Sequence, residues 1–297
     1  MTGPTLGEAL KTTEEHLTRA AITEARMEAQ LLVAHVIERD RAFLRGFPEQ
    51  RLRAEQAELL RGLVELRAER RPMAQVLGSR EFWSLDFQVT ADTLAPRPDS
   101  ETLISCCIDL REEPDPPARI LDLGTGTGCL LVTLLTIWSD AVGVGVDRSR
   151  AALDVARANA RECGADQRAS FCEGDWLAGV EGRFDLIVSN PPYIPSPEIE
   201  TLEPEVAVHE PRLALDGGDD GLACYRALVP GLAEHLDHDG YAVLEHGLGQ
   251  GPNLEDLAIE WGLAVAGHRN DLSGHRRCLV LKMPAGVDNS KKPLGKQ

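Results

Sequence analysis

The sequence is poor in aromatic side chains, poor in positive charge, and lacks the cysteine and histidine spacings that hold metals. Phe, Trp and Tyr make up 4% of the 297 residues, so a core must be filled by Leu, Val, Ile and Ala. Lys and Arg number 31 against 48 Asp and Glu, for a formal net charge of −17. A broad phosphate-binding surface draws its affinity from Lys and Arg, so this balance argues against direct nucleic-acid binding. The seven cysteines are odd in number and none falls in a Cys-x-x-Cys pair, which leaves neither a disulfide framework nor a zinc spacing. They read as reduced, mostly buried small residues of a cytoplasmic protein. The eight histidines include no His-Glu-x-x-His. His235 and His238 in "EHLDHDG" (234–240) read as a solvated turn before a strand, and no metal is expected. No N-terminal signal pattern and no apolar run of about 18 residues occurs, so neither secretion nor membrane spanning is expected.

What is present suits a folded chain: 43% hydrophobic and 27% charged residues supply a core and a solvated surface. Residues 5 to about 72 read as helical. Ala29, Leu32, Val33, Val36 and Ile37 recur at helical spacing, and Leu52, Leu59, Leu60, Leu63, Val64 and Leu66 repeat it beyond Pro48. "SREFWSLDFQVT" (79–90) alternates around a short turn, the pattern of a β-hairpin. From about residue 94 strands and helices alternate. The strands expected are 119–124, 142–147, 169–175, 184–190, 241–247, 278–283 and a weaker one at 263–269. This predicts an α/β fold with a mostly parallel, Rossmann-like doubly wound sheet. The last two strands are joined by little more than a turn at Gly274 and should close the sheet as an antiparallel hairpin. The boundaries expected are a helical domain over 1–76, a hairpin linker over 77–93, the sheet domain over 94–284, and a polar, disordered tail over 285–297.

Two local features predict a ligand. "ILDLGTGTG" sets Gly124, Thr125, Gly126, Thr127 and Gly128 at the first strand-to-helix turn, where glycine lets the backbone approach a bound molecule. Asp147 ends the next strand, and an acid about 20 residues after such a loop accepts from two ribose hydroxyls. The loop is Gly-x-Gly-x-Gly, with no second dinucleotide half following, which suits a nucleoside without a pyrophosphate rather than NAD. S-adenosyl-L-methionine is such a nucleoside. A tight turn with no ligand is the plain alternative. Asp175 and Trp176 in "EGDW" follow the third strand, where an adenine would lie; Trp176 could stack on the base and Asp175 could accept from its exocyclic amine, or both could be surface turn residues.

The second feature is "FDLIVSNPPYIP" (184–195). Pro191 and Pro192 cannot donate to a sheet ladder, so they end the strand and stiffen its exit, where open α/β sheets bind ligands. A planar NH2 group is a poor nucleophile because its lone pair is delocalised. Two fixed acceptors, the Asn190 side-chain oxygen and the Pro191 carbonyl, would take its two hydrogens and aim the lone pair at a methyl group. Tyr193 could pack against the planar group.

Asn-Pro-Pro-Tyr after such a glycine loop resembles the methyltransferases of planar nitrogens, where adenine and glutamine both fit. "RPMAQVLGSREFWSLDFQV" (71–89), "APRPDSETLI" (95–104), "ILDLGTGTG", "GDW", "SNPPYIP" and "EPRLALDGGDDGLACYR" (210–226) together resemble the bacterial peptide-chain release factor glutamine N5-methyltransferases, over nearly the whole chain. The resemblance implies a class I methyltransferase fold and methylation of the glutamine in the Gly-Gly-Gln motif of release factors. It implies S-adenosyl-L-methionine on Gly124 through Gly128, Asp147, Trp176 and Asn190, the substrate amide on Asn190, Pro191, Pro192 and Tyr193, and a helical domain that docks the protein substrate. Ser100 stands where threonine is expected in Arg-Pro-x-Thr-Glu, and His246 where an apolar residue is usual; both are expected to lie outside the chemistry. The alternatives are a sister enzyme acting on a glutamine of a large-subunit ribosomal protein, a DNA adenine N6-methyltransferase, which the charge disfavours, and a non-catalytic cofactor-binding module. The expected partner is a release factor, with no membrane and no nucleic acid, and the chain is expected to be a monomer.

Overall fold

Capping and apolar spacing build the helices of the N-terminal part. The computed structural model describes residues 3–110 and 116–284, so the tail over 285–297 lies outside the described residues. Helix α1 (Leu6–Arg19) starts at a capping box in which Thr5 Oγ1 accepts from Glu8 N at 3.2 Å and the Glu8 carboxylate accepts from Thr5 N at 2.8 Å. Helix α2 (Ala25–Ile37) stops where Glu38 turns left-handed (φ 54°). Helices α3 (Arg41–Gly46), α4 (Ala54–Ala68) and α5 (Met73–Leu77) follow. Leu6, Leu17, Leu32, Val33, Leu52, Leu60 and Val64 fill the core between them, whereas Leu59 faces solvent.

The chain forms two compact units, Met1–Ser79 with Leu202–Glu210, and Arg80–Thr201 with Pro211–Gln297. The helical unit therefore takes in a stretch from the middle of the sheet region. Buried Arg67 holds it: Nη2 lies 2.8 Å from Glu205 Oε1, while Nε and Nη2 donate to the two oxygens of Glu28 at 2.6 and 3.1 Å. Arg70 adds contacts to Glu203 at 3.2 Å and Glu205 at 2.6 Å. Gln75 Nε2 donates to the His209 carbonyl at 3.1 Å. Burial alone would raise the Glu205 pKa, but the bonds from Arg70 and Arg67 outweigh it and hold the carboxyl below its usual value.

Strands β1 (Ser79–Phe82) and β2 (Leu85–Gln88) are joined at Trp83 and Ser84 with φ of 53° and 60°. Two successive positive φ angles match the right-handed twist of a two-residue hairpin. Phe82 and Phe87 meet edge to face at 6.2 Å, fully buried. After α6 (Glu101–Leu110) come β3 (Arg119–Leu123), α7 (Cys129–Ile137), β4 (Val142–Asp147), α8 (Arg150–Glu162), β5 (Ala169–Glu173) and β6 (Phe184–Ser189). Then follow α9 (Ala223–His235), β7 (Leu236–Glu245), α10 (Gly251–Glu260), β8 (Ala264–Asn270) and β9 (Arg276–Lys282).

The seven-stranded sheet runs β5-β4-β3-β6-β7-β9-β8, with β9 antiparallel to both its neighbours and the other pairings parallel. Its central strands are apolar on both faces, as helix-covered strands must be. Ile120, Leu186, Val188 and Val243 pack in one cluster with Leu103 of α6 and Leu131 of α7. Leu121, Leu123, Ile187 and Leu244 pack in another with Leu228 of α9 and Leu254 of α10. This is the mostly parallel, doubly wound sheet with an antiparallel C-terminal hairpin that the sequence predicts. The strand ends fall within two residues of those expected except at β7, which begins at Leu236, inside the expected turn. Leu236 is fully buried opposite Phe184, and a register shift before the Leu186–Tyr241 pair absorbs the polar residues 237–239. Chain order reverses between β3 and β6, which places the ligand crevice of such a sheet at their C-terminal ends. Among the described residues no helix is long and apolar enough to cross a membrane.

Candidate functional site

At the end of β3 the chain turns through Gly124, Gly126 and Gly128 with φ of 72°, 54° and 78°. Gly124 N and Thr125 N donate to the Val146 carbonyl at 2.8 and 3.0 Å, holding the loop to β4. A Cβ on Gly128 would press on the Ala156 Cβ at 3.1 Å, so glycine there lets α8 approach. A Cβ on Gly126 would meet nothing nearer than the Gly124 carbonyl at 4.0 Å and would stand in the adjoining cavity instead. Thr125 Oγ1 donates to Asp122 Oδ2 at 2.6 Å. Asp122 is fully buried, and burial pushes its pKa up to about 7 against the lowering effect of the Thr125 bond. Asn159 of α8 donates to the Thr127 carbonyl at 2.9 Å and accepts from Gln88 N at 2.7 Å, fastening the loop to the hairpin.

Asp147 lies across the loop. Its Oδ2 accepts from Gly126 N at 2.9 Å and its Oδ1 from Ser149 N at 2.8 Å, so the carboxylate is oriented before any ligand arrives. Gly124, Gly126, Asp147, Ser149, Trp176 and Asn190 line a cavity of about 190 Å³. Trp176 is held in the left-handed region (φ 56°), and its ring would lie 3.5 Å from a Cβ at Gly124. Thr125, Thr127 and Gly128 form the back of the loop and do not line the cavity. Neither does Asp175, whose exposed carboxylate lies 3.6 Å from Arg148 Nε. An oriented carboxylate, a side-chain-free backbone and an indole ring around one cavity fit a nucleoside.

Asn190 follows directly on Ser189, whose hydroxyl donates to the Leu123 carbonyl at 2.7 Å. That bond ties the exit of β6 to the start of the glycine loop. Asn190 Nδ2 donates to Ser100 Oγ at 2.9 Å. Ser100, expected to lie outside the chemistry, therefore touches the residue expected to hold the substrate amide. Pro191 is buried, and Pro192 lines the cavity. The Tyr193 carbonyl accepts from Gln250 Nε2 at 2.9 Å, and the same nitrogen reaches the Gly221 carbonyl at 3.2 Å. Any side chain at Gly221 (φ 75°) would collide with the Tyr193 carbonyl, so glycine there permits the close approach. Burial pushes the Tyr193 hydroxyl up to about 12, which keeps it a neutral phenol. His246 is buried away from the cavity lining, with Nδ1 2.9 Å from the Gly247 carbonyl, and burial lowers its pKa.

Asp92, Thr93 and Leu94 after the hairpin, and Leu213, Ala214 and Asp216 before α9, also line the cavity. They adjoin or fall within the sequence stretches 95–104 and 210–226, but nothing in those residue types alone marks a lining role. Ile194 pairs with Asp216 as an isolated bridge, which brings the second stretch against the Asn-Pro-Pro-Tyr exit.

The fold and this crevice define a class I methyltransferase. A methyltransferase small domain matches residues 100–208, and a PrmC N-terminal domain matches residues 8–78. Solved structures agree on the fold. The catalytic domain of hMettl16, in complex with an RNA hairpin, superposes with a TM-score of 0.55 at 14% identity, covering 82% of this chain and 86% of that one. A methyltransferase from Pyrococcus furiosus gives a TM-score of 0.50 at 18% identity, over 67% of this chain and 89% of that one. Sequence carries the assignment further. The release factor glutamine methyltransferase of Rhodospirillum rubrum is 42% identical over 94% of this chain and 86% of its own length. That of Cereibacter sphaeroides is 42% identical over 94% of this chain and 98% of its own length. The chain belongs to the release factor glutamine methyltransferase family, and it is an S-adenosylmethionine-dependent methyltransferase.

Proposed function

We propose that this protein transfers a methyl group from S-adenosyl-L-methionine to the side-chain amide nitrogen of the glutamine in the Gly-Gly-Gln motif of peptide-chain release factors, in the cytoplasm. The observation that carries this reading is the position of Asn190. It stands at the chain reversal between β3 and β6 and lines the same cavity as Gly124, Gly126 and Asp147. Gly124 to Gly128, Asp147, Trp176 and Asn190 would hold the donor, Asp147 through the ribose hydroxyls. Asp175, engaged with Arg148 in solvent, is assigned no contact. Once bound, the donor supplies a methyl group on a positively charged sulfur.

The chain's own task is to present the amide. Asn190 Oδ1 and the Pro191 carbonyl accept its two N–H hydrogens, which fixes the plane of the group and aims the nitrogen lone pair. Pro192 holds the Pro191 carbonyl in direction, and Tyr193 packs against the plane as a neutral phenol. The methylated nitrogen sheds one of its two protons. It needs no strong base, because an N-alkylated amide cation is a strong acid. The helical unit docks the folded release factor, a task suited to a surface without chemistry of its own.

Incubation with labelled S-adenosyl-L-methionine and a release factor, followed by mapping of the label by mass spectrometry, tests the proposal. Label on the Gly-Gly-Gln glutamine is the expected result. An unlabelled release factor beside a labelled ribosomal protein or labelled DNA adenine overturns it.

A further inference from the structure

Accepting both hydrogens of an amide requires Asn190 to present oxygen, not nitrogen, to its substrate, and an asparagine amide has no intrinsic preference between its two orientations. We infer that Ser100 and Glu245 are positioning residues that set the direction of the Asn190 amide. This rests on the function proposed above.

Register brings the three together. Ser189 of β6 pairs with Leu244 of β7, so the next residues along, Asn190 and Glu245, sit level at the C-terminal edge of the sheet. Asn190 Nδ2 donates to Ser100 Oγ at 2.9 Å. The Glu245 carboxyl is 1% exposed, and burial pushes it up to about 7 against the lowering influence of Ser100 and Asn190. Its Oε2 is buried without a partner among the described residues. The Tyr225 hydroxyl donates to the Glu245 carbonyl at 2.8 Å, which anchors the end of the strand.

Donor and acceptor identities then leave one arrangement. A serine hydroxyl has a single hydrogen. Above about pH 7, where Glu245 is ionised, the carboxylate beside the hydroxyl claims that hydrogen, so Ser100 accepts from its other neighbour. The group of Asn190 that faces this pair must therefore be the NH2, and the same NH2 satisfies Glu245. A flipped amide would set Oδ1 against a hydroxyl lone pair and a carboxylate, acceptor against acceptor in a buried place, which is strongly disfavoured. Covalent geometry turns Oδ1 to the opposite side, and Asn190 lines the cavity. With either partner lost, the amide can present its NH2 to the substrate and repel the hydrogens it should accept.

Steady-state kinetics on intact release factor test the inference with Ser100→Ala, Ser100→Thr and Glu245→Gln, each compared with wild type by thermal denaturation and by calorimetric titration with S-adenosyl-L-methionine. A glutamine at 245 can face Ser100 with either end of its amide and so no longer enforces one direction. Ser100→Ala and Glu245→Gln should lower kcat at least about tenfold, part of the about 10²-fold that small misplacements cost. KM for release factor and affinity for the donor should stay within about twofold of wild type, since both are carried mainly by contacts other than the Asn190 amide. Ser100→Thr keeps the hydroxyl and should retain kcat within about twofold, the change expected if the donor–acceptor chain is what matters. Wild-type kcat in Ser100→Ala overturns the inference, as does an equal fall in Ser100→Ala and Ser100→Thr. Should Glu245→Gln fail to fold, the two Ser100 variants decide it. Wild-type protein that leaves the release factor unlabelled counts against the proposed function, whatever the variants do.

Discussion

Asp147 gives the most direct test of the donor site. Its carboxylate already accepts from Gly126 N at 2.9 Å and from Ser149 N at 2.8 Å, one bond on each oxygen. A carboxylate has about four lone-pair sites, so about two remain for a vicinal diol. Asp147→Ala removes the charged acceptor and also the brace between the glycine loop and the start of α8. A hydrogen bond to a charged group is worth about 1.5–3 kcal/mol. At about 1.4 kcal/mol per tenfold, the loss is roughly 10- to 150-fold in affinity. Asp147→Asn should also weaken binding, because its NH2 must face either Gly126 N or Ser149 N, donor against donor. Calorimetric titration with S-adenosyl-L-methionine measures both variants, with thermal denaturation showing that the sheet unit remains folded. Asp147→Ala binding the donor within about twofold of wild type, against the roughly tenfold minimum expected, refutes the reasoning.

Asn190→Ala should leave the sheet unit folded and lower turnover on release factor by about 10²-fold. Asn190→Asp should retain the donor and also lose turnover; methylation by Asn190→Ala within about threefold of wild type would defeat the amide clamp. Arg67→Ala strips Glu28 of its bidentate partner and Glu205 of one of its two arginines, so urea denaturation of the helical unit should show a loss of about 3–5 kcal/mol, as for other broken buried pairs. A change under about 1 kcal/mol would mean that Arg67 is not a buried ion-pair centre. Asp122 titrates at about 7 in the folded protein against 3.8 unfolded, because burial penalises its charge. The unfolded chain loses this proton first and binds fewer protons between about pH 4 and 7, so this residue's contribution to stability falls as pH rises. Urea midpoints of Asp122→Asn should therefore fall less than wild type from about pH 5 to pH 8, and parallel profiles would rule this out.

Period and local turn chemistry were enough to read the architecture. Strands with apolar residues at successive positions had to be covered on both faces, and the residues joining them mark the C-terminal edge of the sheet: Gly124 to Gly128, Asp147, and the prolines after Asn190. The helical unit was equally legible, because Ala29, Leu32, Val33 and Val36 recur on one face, although Leu59, which fits the pattern, is exposed. These signals lie within a few residues of one another, and the backbone geometry that they specify is local. The tertiary structure alone decided which distant groups meet. Ser100, Asn190 and Glu245 come from three parts of the chain and meet only because β6 and β7 are in parallel register, with the turn before α6 at their ends. Arg67 is buried, against its usual place on a surface, because Glu205 arrives from the sheet region to complete its pairing. Strand β7 begins early because Leu236 finds cover at Phe184. No spacing in the sequence records such pairings, since the energy of a hydrogen bond or ion pair depends on distance in space and not on separation along the chain.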